Sequence, residues 1–343
     1  MADIVMADDG IEFDGRTLEE RPLGGAETSF IELANALAAR GHRVQAFNKC
    51  AAPVLHRDVA WVPLASGTPQ KAGLYIANRN AALLGLVPKA VRTIFWIHNP
   101  AGYLLKLRHQ TRLAQRRPVI VFSGESHAGT YPPWGFSGGR SIIPYGVTEI
   151  FRNASPRETP PPRAIFTSNP LRSLDWILDL WEQRIRPQCP RAEFHIFAGA
   201  ATYGAAGAAK AGAMGPVLER AAALSGQGVA LRAPVPKAQL VAELAAARIL
   251  LYRGDIGETF CSAVAEAQAM GLPAVLEDIA CMKERLRPGE TGFVVKGADA
   301  FAERALSLLT DDALWQSQHH ACLAMQRSFG WNRAAEMFER LLS

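Results

Sequence analysis

The sequence has no closely spaced cysteine pair. Its five cysteines, Cys50, Cys189, Cys261, Cys281 and Cys322, are scattered along 343 residues. That excludes a C-x2-C metal ligand set and a disulfide framework, and reduced thiols are expected instead. No run of 18 residues is uniformly apolar, so no bilayer-spanning helix is expected. Asp3, Asp8 and Asp9 stand where a secretory signal would be basic, which predicts a cytoplasmic protein. The chain lacks a P-loop and a G-x-G-x-x-G in strand-turn-helix context. It also lacks aromatic RNP strings and zinc spacing, so nucleic acid is not an expected partner. No Asp-x-Asp pair is placed to hold a metal between phosphates, and no metal site is expected.

What is present describes a globular chain. Apolar residues make up 49% and charged residues 20%, enough apolar material for two cores of roughly 150 residues each. The net charge of +5 is uneven: Lys106, Arg108, His109, Arg112, Arg116 and Arg117 fall close together. Two readings fit this segment, a solvated helix face and a patch for anionic lipid or a phosphate-bearing acceptor.

Short apolar runs alternate with helical patterns. Strands are expected at Asp3–Ala7, Arg43–Asn48, Gly73–Ala77, Arg92–Ile97 and Pro118–Phe122. Between the first two, Thr28–Arg40 reads as an amphipathic helix with Phe30, Leu33, Ala34 and Leu37 on one face and Gly41 as its stop. The proline-rich Phe151–Pro162 has linker composition. The rhythm then restarts: strands at Arg163–Ser168, Glu193–Ala198, Ala230–Ala233, Arg248–Tyr252 and Leu272–Leu276, helices at Asp175–Arg184, Lys237–Ala247 and Ser262–Met270. Ala198–Gly215, rich in Ala and Gly, reads as a mobile loop entering a helix. Such β-α-β alternation implies an α/β fold with parallel sheets.

The strongest chemical signal is Gly257–Ala267 (GETFCSAVAEA), followed by Met270-Gly271-Leu272-Pro273. Glu258 follows a strand. Thr259 and Ser262 are placed to cap a helix beginning near Phe260, whose free N–H groups attract phosphate. Glu258 in the loop and Glu266 along the helix can accept hydrogen bonds from two separated sets of hydroxyls across a diphosphate. Taken singly, either glutamate reads as an ordinary first-turn acid or a solvated helix residue.

This Glu-x7-Glu segment resembles the donor-binding signature of the large retaining glycosyltransferase family with the GT-B fold, the family 4-like, group 1 glycosyl transferases. The resemblance implies two Rossmann-like domains facing each other across a cleft: an acceptor domain over 1–150, a linker over 151–162, a donor domain over 163–328, and a helix over 329–343 crossing back. It implies that Glu258 contacts the transferred sugar, that Glu266 binds the ribose, and that backbone N–H groups of Thr259, Phe260 and Cys261 bind the distal phosphate. Gly24 and Gly25 resemble the family's N-terminal glycine loop, and His98 its histidine near the sugar. The turn at Val235 resembles the one that holds the base. Arg172 matches the second of two phosphate-binding cations; Asn169 stands at the first.

The implied reaction moves a hexose from a nucleoside diphosphate sugar to an acceptor hydroxyl with retention, without metal or cofactor. Leaving-group charge would rest on Arg172 and the helix start. The implied setting is bacterial glycan or glycolipid synthesis, with a glycan or lipid-linked acceptor and peripheral contact at the inner face of the membrane. Two alternatives stand beside it: a nucleotide-sugar-binding protein without catalysis, which Asn169 would suit, and a nucleotide-sugar epimerase on the same scaffold. Arg253, after a strand near Glu258, is a candidate for the missing charge.

Overall fold

The computed structural model of the chain describes residues 1–342, the side chains of residues 203–206 and 326 excepted. The chain divides into two compact units, Met1–Gly146 with the stretch from Gly330 onward, and Val147–Phe329. The proline-rich Phe151–Pro162 therefore lies inside the second unit. Arg157 fastens it there: its guanidinium donates to the Met270 carbonyl at 2.7 Å and its backbone N–H to His319 Nε2 at 3.2 Å.

The first unit is built on eight strands: β1 (Asp3–Ala7), β2 (Arg43–Asn48), β3 (Val54–His56), β4 (Val59–Pro63), β5 (Lys71–Asn78), β6 (Lys89–Trp96), β7 (Val119–Phe122) and β8 (Gly139–Ile142). Their order is β3-β4-β2-β1-β5-β6-β7-β8, with every pairing parallel except β3–β4. The central strands read as continuous apolar runs because helices cover both faces of a parallel sheet. Tyr75, Phe95, Phe122, Leu104 and Leu113 form the core on one face.

The helix Gly25–Ala39 buries the expected Phe30, Leu33, Ala34 and Leu37. It ends as expected at Gly41, with φ of 86°. The His42 N–H reaches the Leu37 carbonyl at 3.3 Å, a six-residue closure that requires the left-handed conformation at Gly41. The helix Ser262–Ala269 repeats the device with Gly271 at φ 74° and a Leu272-to-Ala267 bond of 2.9 Å.

The β3–β4 hairpin carried no turn signal. Arg57 and Asp58 both adopt positive φ, 49° and 60°, a tight turn usually marked by Asn-Gly or Gly. The C-terminal helix, Trp331–Glu339, belongs to this unit. Trp331 stacks on Tyr145 with centroids 6.2 Å apart, and Phe338 meets Trp96 edge-on at 5.3 Å.

The second unit holds β9 (Arg163–Phe166), β10 (Glu193–Phe197), β11 (Val229–Arg232), β12 (Ile249–Tyr252), β13 (Ala274–Glu277) and β14 (Gly292–Val295). All pair in parallel, in the order β11-β10-β9-β12-β13-β14. The edge strands β8 and β14, which the sequence does not predict, each open on a glycine, a residue depleted in strands. The loop expected over Ala198–Gly215 is mostly helix: a 3-10 turn spans Ala200–Tyr203 and a helix Gly204–Ala223. Alanine favours helix as strongly as glycine opposes it. The expected loop includes residues 203–206, whose side chains lie outside the described residues.

Candidate functional site

In each sheet the chain winds outward in one direction and then returns to the other side of its first strand. In the second unit that reversal falls between β9 and β12, which are neighbours. Ligands of doubly wound sheets bind beyond the carboxyl ends of strands at such a point. Arg172 leaves the turn after β9, and Glu258 the turn after β12. The topology thereby brings together two residues 86 positions apart. They form an ion pair, Arg172 Nη1 to Glu258 Oε1.

Tyr252, the last residue of β12, donates its hydroxyl to the same Oε1. Glu258 is 7% exposed, and both contacts fall on one of its oxygens. Burial opposes charge on Arg172, but the Glu258 carboxylate more than offsets it and holds the guanidinium more firmly protonated than usual. Burial, with Cys261 and Glu258 nearby, pushes the Tyr252 hydroxyl well above its ordinary range, so it stays a donor.

Asn169 does not act as a stand-in cation. Its side-chain oxygen accepts the Leu171 N–H and its carbonyl the Arg172 N–H, both at 2.9 Å. It is the residue that folds the turn presenting Arg172. Ser173 follows in the left-handed conformation, φ 62°, and donates its hydroxyl to the Gly254 carbonyl at 3.2 Å. Arg253 supplies no charge to the pair: it is bound to Glu277 and lies 4.6 Å from the Trp176 ring.

The helix after Glu258 starts at Ser262, where the apolar pattern places it and two residues beyond the start near Phe260 that capping by Thr259 would need. Cys261 is its N-cap, φ 64°, and no side chain caps the helix. Thr259 lies outside it and Ser262 inside, so neither hydroxyl performs the expected capping. A left-handed non-glycine residue costs about 1–2 kcal/mol, and such strain collects at functional sites. Of the three such residues in the described part of this unit, Ser173, Cys261 and Ala280, the first two adjoin the Arg172–Glu258 pair.

Thr259, Phe260 and Cys261 are each buried. The Phe260 ring lies under the guanidinium of buried Arg285, 4.0 Å away. Their side chains anchor the turn inward, and an anion at this helix start would meet backbone N–H groups.

Glu266 is 8% exposed, not a solvated helix residue. Lys237 pairs with its Oε1 and sits 5.4 Å from the Phe151 ring. Val235 is half-buried just before the helix Lys237–Ala246, in the turn after β11. The sequence does not show that Lys237 meets Glu266 or that Tyr252 meets Glu258. Tyr252 ends an apolar strand, RILLY, and its polar tip was the available signal.

The other expected residues lie in the first unit. Its reversal falls between β1 and β5. There Asp8 Oδ2 accepts from Arg79 and from Asn78, both at 2.6 Å, while Oδ1 accepts the Gly10 N–H at 2.8 Å. Arg79 also donates to Glu27 at 2.8 Å. Glu27 lies in the first turn of the helix that Gly24 precedes and Gly25 opens.

Asp8 orients the Asn78 amide, which orients His98. Because Asn78 donates through its nitrogen, its oxygen accepts from His98 Nε2 at 2.6 Å. The His98 Nδ1 then accepts the Tyr145 hydroxyl at 2.5 Å. Both ring nitrogens of His98 are thus engaged. Burial, with Arg79 and His127 near, pushes it well below its ordinary pKa and keeps it neutral. Among the described residues no group of three or more His, Cys, Asp or Glu could hold a metal ion, and no helix is long and apolar enough to cross a membrane.

Residues 162–311 match the family model described as Glycosyl transferases group 1. The chain carries a glycosyl transferases group 1 domain. All the second-unit residues above, from Asn169 to Glu266, lie inside this group 1 domain.

A curated relative is the D-inositol 3-phosphate glycosyltransferase of Streptomyces avermitilis. It is 32% identical over 109 residues, 31% of this chain and 23% of that protein; the match thus spans about a quarter of the relative's length. Sucrose-phosphate synthase from Thermosynechococcus elongatus has the same fold, with a TM-score of 0.73 at 16% identity over 99% of this chain and 98% of that one. A trehalose-6-phosphate synthase gives 0.74 at 12% identity, covering 99% and 98%. The fold around the group 1 domain is GT-B, two Rossmann-like domains.

Proposed function

We propose that the protein is a retaining glycosyltransferase that moves a hexose from a nucleoside diphosphate sugar to a hydroxyl of a glycan or lipid-linked acceptor. The observation that carries this reading is the Arg172–Glu258 pair, seated with Tyr252 at the reversal of the donor-type sheet and followed by an uncapped helix start. Glu258 Oε1 is held by Arg172 and Tyr252, and Oε2 accepts sugar hydroxyls. Glu266 accepts from the ribose, and Lys237 releases it when the donor enters. Val235 lies in the turn that meets the base through its backbone.

Charge develops on the distal phosphate as the sugar leaves. Arg172 and the N–H groups after Thr259 and Phe260 are fixed beforehand to stabilise it, so the reaction needs no metal. In the first unit, His98 and the Gly24–Gly25 turn serve the sugar and acceptor. His98 acts as a neutral, oriented group: it gives up the Tyr145 or Asn78 bond when a sugar hydroxyl replaces it.

The test is a calorimetric titration with a panel of nucleoside diphosphates and their hexoses, with and without chelator, followed by product analysis for anomeric configuration. One base family bound regardless of chelator, with transfer and retention, is the expected result. Tight binding without transfer to any acceptor would favour the non-catalytic binding protein. No binding at all would sink both.

A further inference from the structure

The first unit carries a surface that the donor-site reading does not use. Four large apolar side chains are exposed: Leu105 at 38%, Leu107 at 79%, Trp134 at 71% and Phe136 at 55%. They come from two segments joined by one buried residue. Gln110, on the helix Leu107–Arg116, donates to the Leu104 carbonyl at 2.8 Å and the Tyr131 hydroxyl at 2.9 Å, and accepts the Phe136 N–H at 3.3 Å. Arg140 fixes the Trp134 loop from beneath, donating to the carbonyls of Tyr131, Pro132 and Pro133. The apolar groups are therefore held out by a built support.

Cations surround them. Lys106, Arg108, Arg112 and Arg116 are exposed, and the last three are spaced four residues apart along one helix face. Among the described residues none of the four is paired with a carboxylate. From Val59 to Thr148 the chain has ten lysines and arginines against one acid, Glu125. That surplus of nine exceeds the surplus of five for the whole chain, so the rest of the molecule is net acidic. His109, Gln110 and Leu113 occupy the inner face of the helix.

We infer that this face docks on an anionic lipid bilayer, with Trp134, Phe136 and Leu107 entering the headgroup boundary and the arginines meeting lipid phosphates. Exposed aromatics rimmed by unpaired cations fit that boundary, where one end of the surface is apolar and the other charged. Polyanions would use the cations but have no use for the apolar four. A second copy would bring the same positive charge against itself.

The experiment is co-sedimentation of the full chain with vesicles of phosphatidylcholine, with and without phosphatidylglycerol. Binding is expected only with the anionic lipid and is expected to fall with salt. Each neutralised cation should lower partitioning about fivefold, so Arg108→Gln with Arg112→Gln lowers it about 25-fold. Trp134→Ser with Phe136→Ser should lower it at least tenfold while nucleotide binding is unchanged. Trp134→Phe should retain binding but lose fluorescence quenching by brominated lipid. Three results would overturn the inference: no binding to anionic vesicles at low salt, unchanged binding in the serine double variant, or lipid-free dimers that this variant dissociates.

Discussion

The two units place an arginine and a carboxylate at the same topological point and use them differently. At β1/β5, Arg79 is shared by Asp8 and Glu27, and Asp8 is fully buried with both oxygens occupied. At β9/β12, Glu258 is shared by Arg172 and Tyr252 through one oxygen, and the Arg172 side chain keeps 34% exposure against 23% for Arg79. The first arrangement is closed, because both accepting oxygens of Asp8 are spent on its own unit. The second is left half open. A parallel sheet that reverses direction concentrates polar strand ends at one place; what the turns add decides whether that place is a lock or a site.

Arg79→Ala should cost the most stability. It strands Asp8 and Glu27 without their cation, and removing one member of a buried pair costs about 3–5 kcal/mol. Denaturant unfolding should show that loss, and Arg172→Ala should cost about 2 kcal/mol less. Equal losses would erase the distinction. Glu258→Gln tests the other half. It keeps shape but removes the charge, and kcat/KM should fall about 10²–10³-fold, with no greater loss of stability than Arg172→Ala shows. A variant as active as the parent would remove Glu258 from the chemistry.

The strand ends of the first unit should also respond to pH. His127 accepts from the Ser123 hydroxyl at 3.0 Å and donates to the Asn99 carbonyl at 2.9 Å. Burial lowers its pKa from 6.5 to about 4. The unfolded chain then binds this proton more readily than the folded one. Stability is complete above pH 6.5 and falls as the pH drops toward 4, by about 3 kcal/mol in all. Unfolding of His127→Gln measured across that range should be flatter than the parent's; parallel curves would show that His127 does not couple.

Much of this was readable beforehand, for physical reasons. Buried parallel strands are apolar runs, so β1, β2, β7, β9 and β12 stood out. Gly41 and Gly271 marked helix ends because only the left-handed closure there needs glycine. The spacing of Glu258 and Glu266 identified a segment that the family match now covers. What failed was whatever depends on partners far along the chain. Nothing local shows that Asp8, Asn78 and Arg79 converge, or that Glu266 meets Lys237 from 29 residues away. The β3–β4 turn failed for a different reason, because its residues contradict the usual local preference, and the start of the Gly204–Ala223 helix because its glycines and alanines pull in opposite directions.

Within the second unit, Glu266→Ala should weaken donor binding about tenfold, or about 1.4 kcal/mol, because one set of hydroxyls loses its acceptor while Arg172 and Glu258 remain. Calorimetry on the nucleoside diphosphate alone separates this from sugar contacts. A loss seen only with the intact sugar donor would move Glu266 from the ribose to the hexose.

The smallest effect belongs to Asn169, and it bears most directly on how the open site is kept open. Its polar groups serve its own turn: the side-chain oxygen accepts from Leu171, and the backbone carbonyl accepts from Arg172. Loss of one such hydrogen bond costs about 1 kcal/mol. Asn169→Ala should therefore weaken diphosphate binding about fivefold, through a less fixed Arg172. Asn169→Asp keeps the accepting oxygen and should restore the turn. If Asn169 instead met the phosphate directly, the aspartate would repel it and bind worse than the alanine. The order of the two variants in one titration thus decides between a residue that shapes the site and one that touches the ligand.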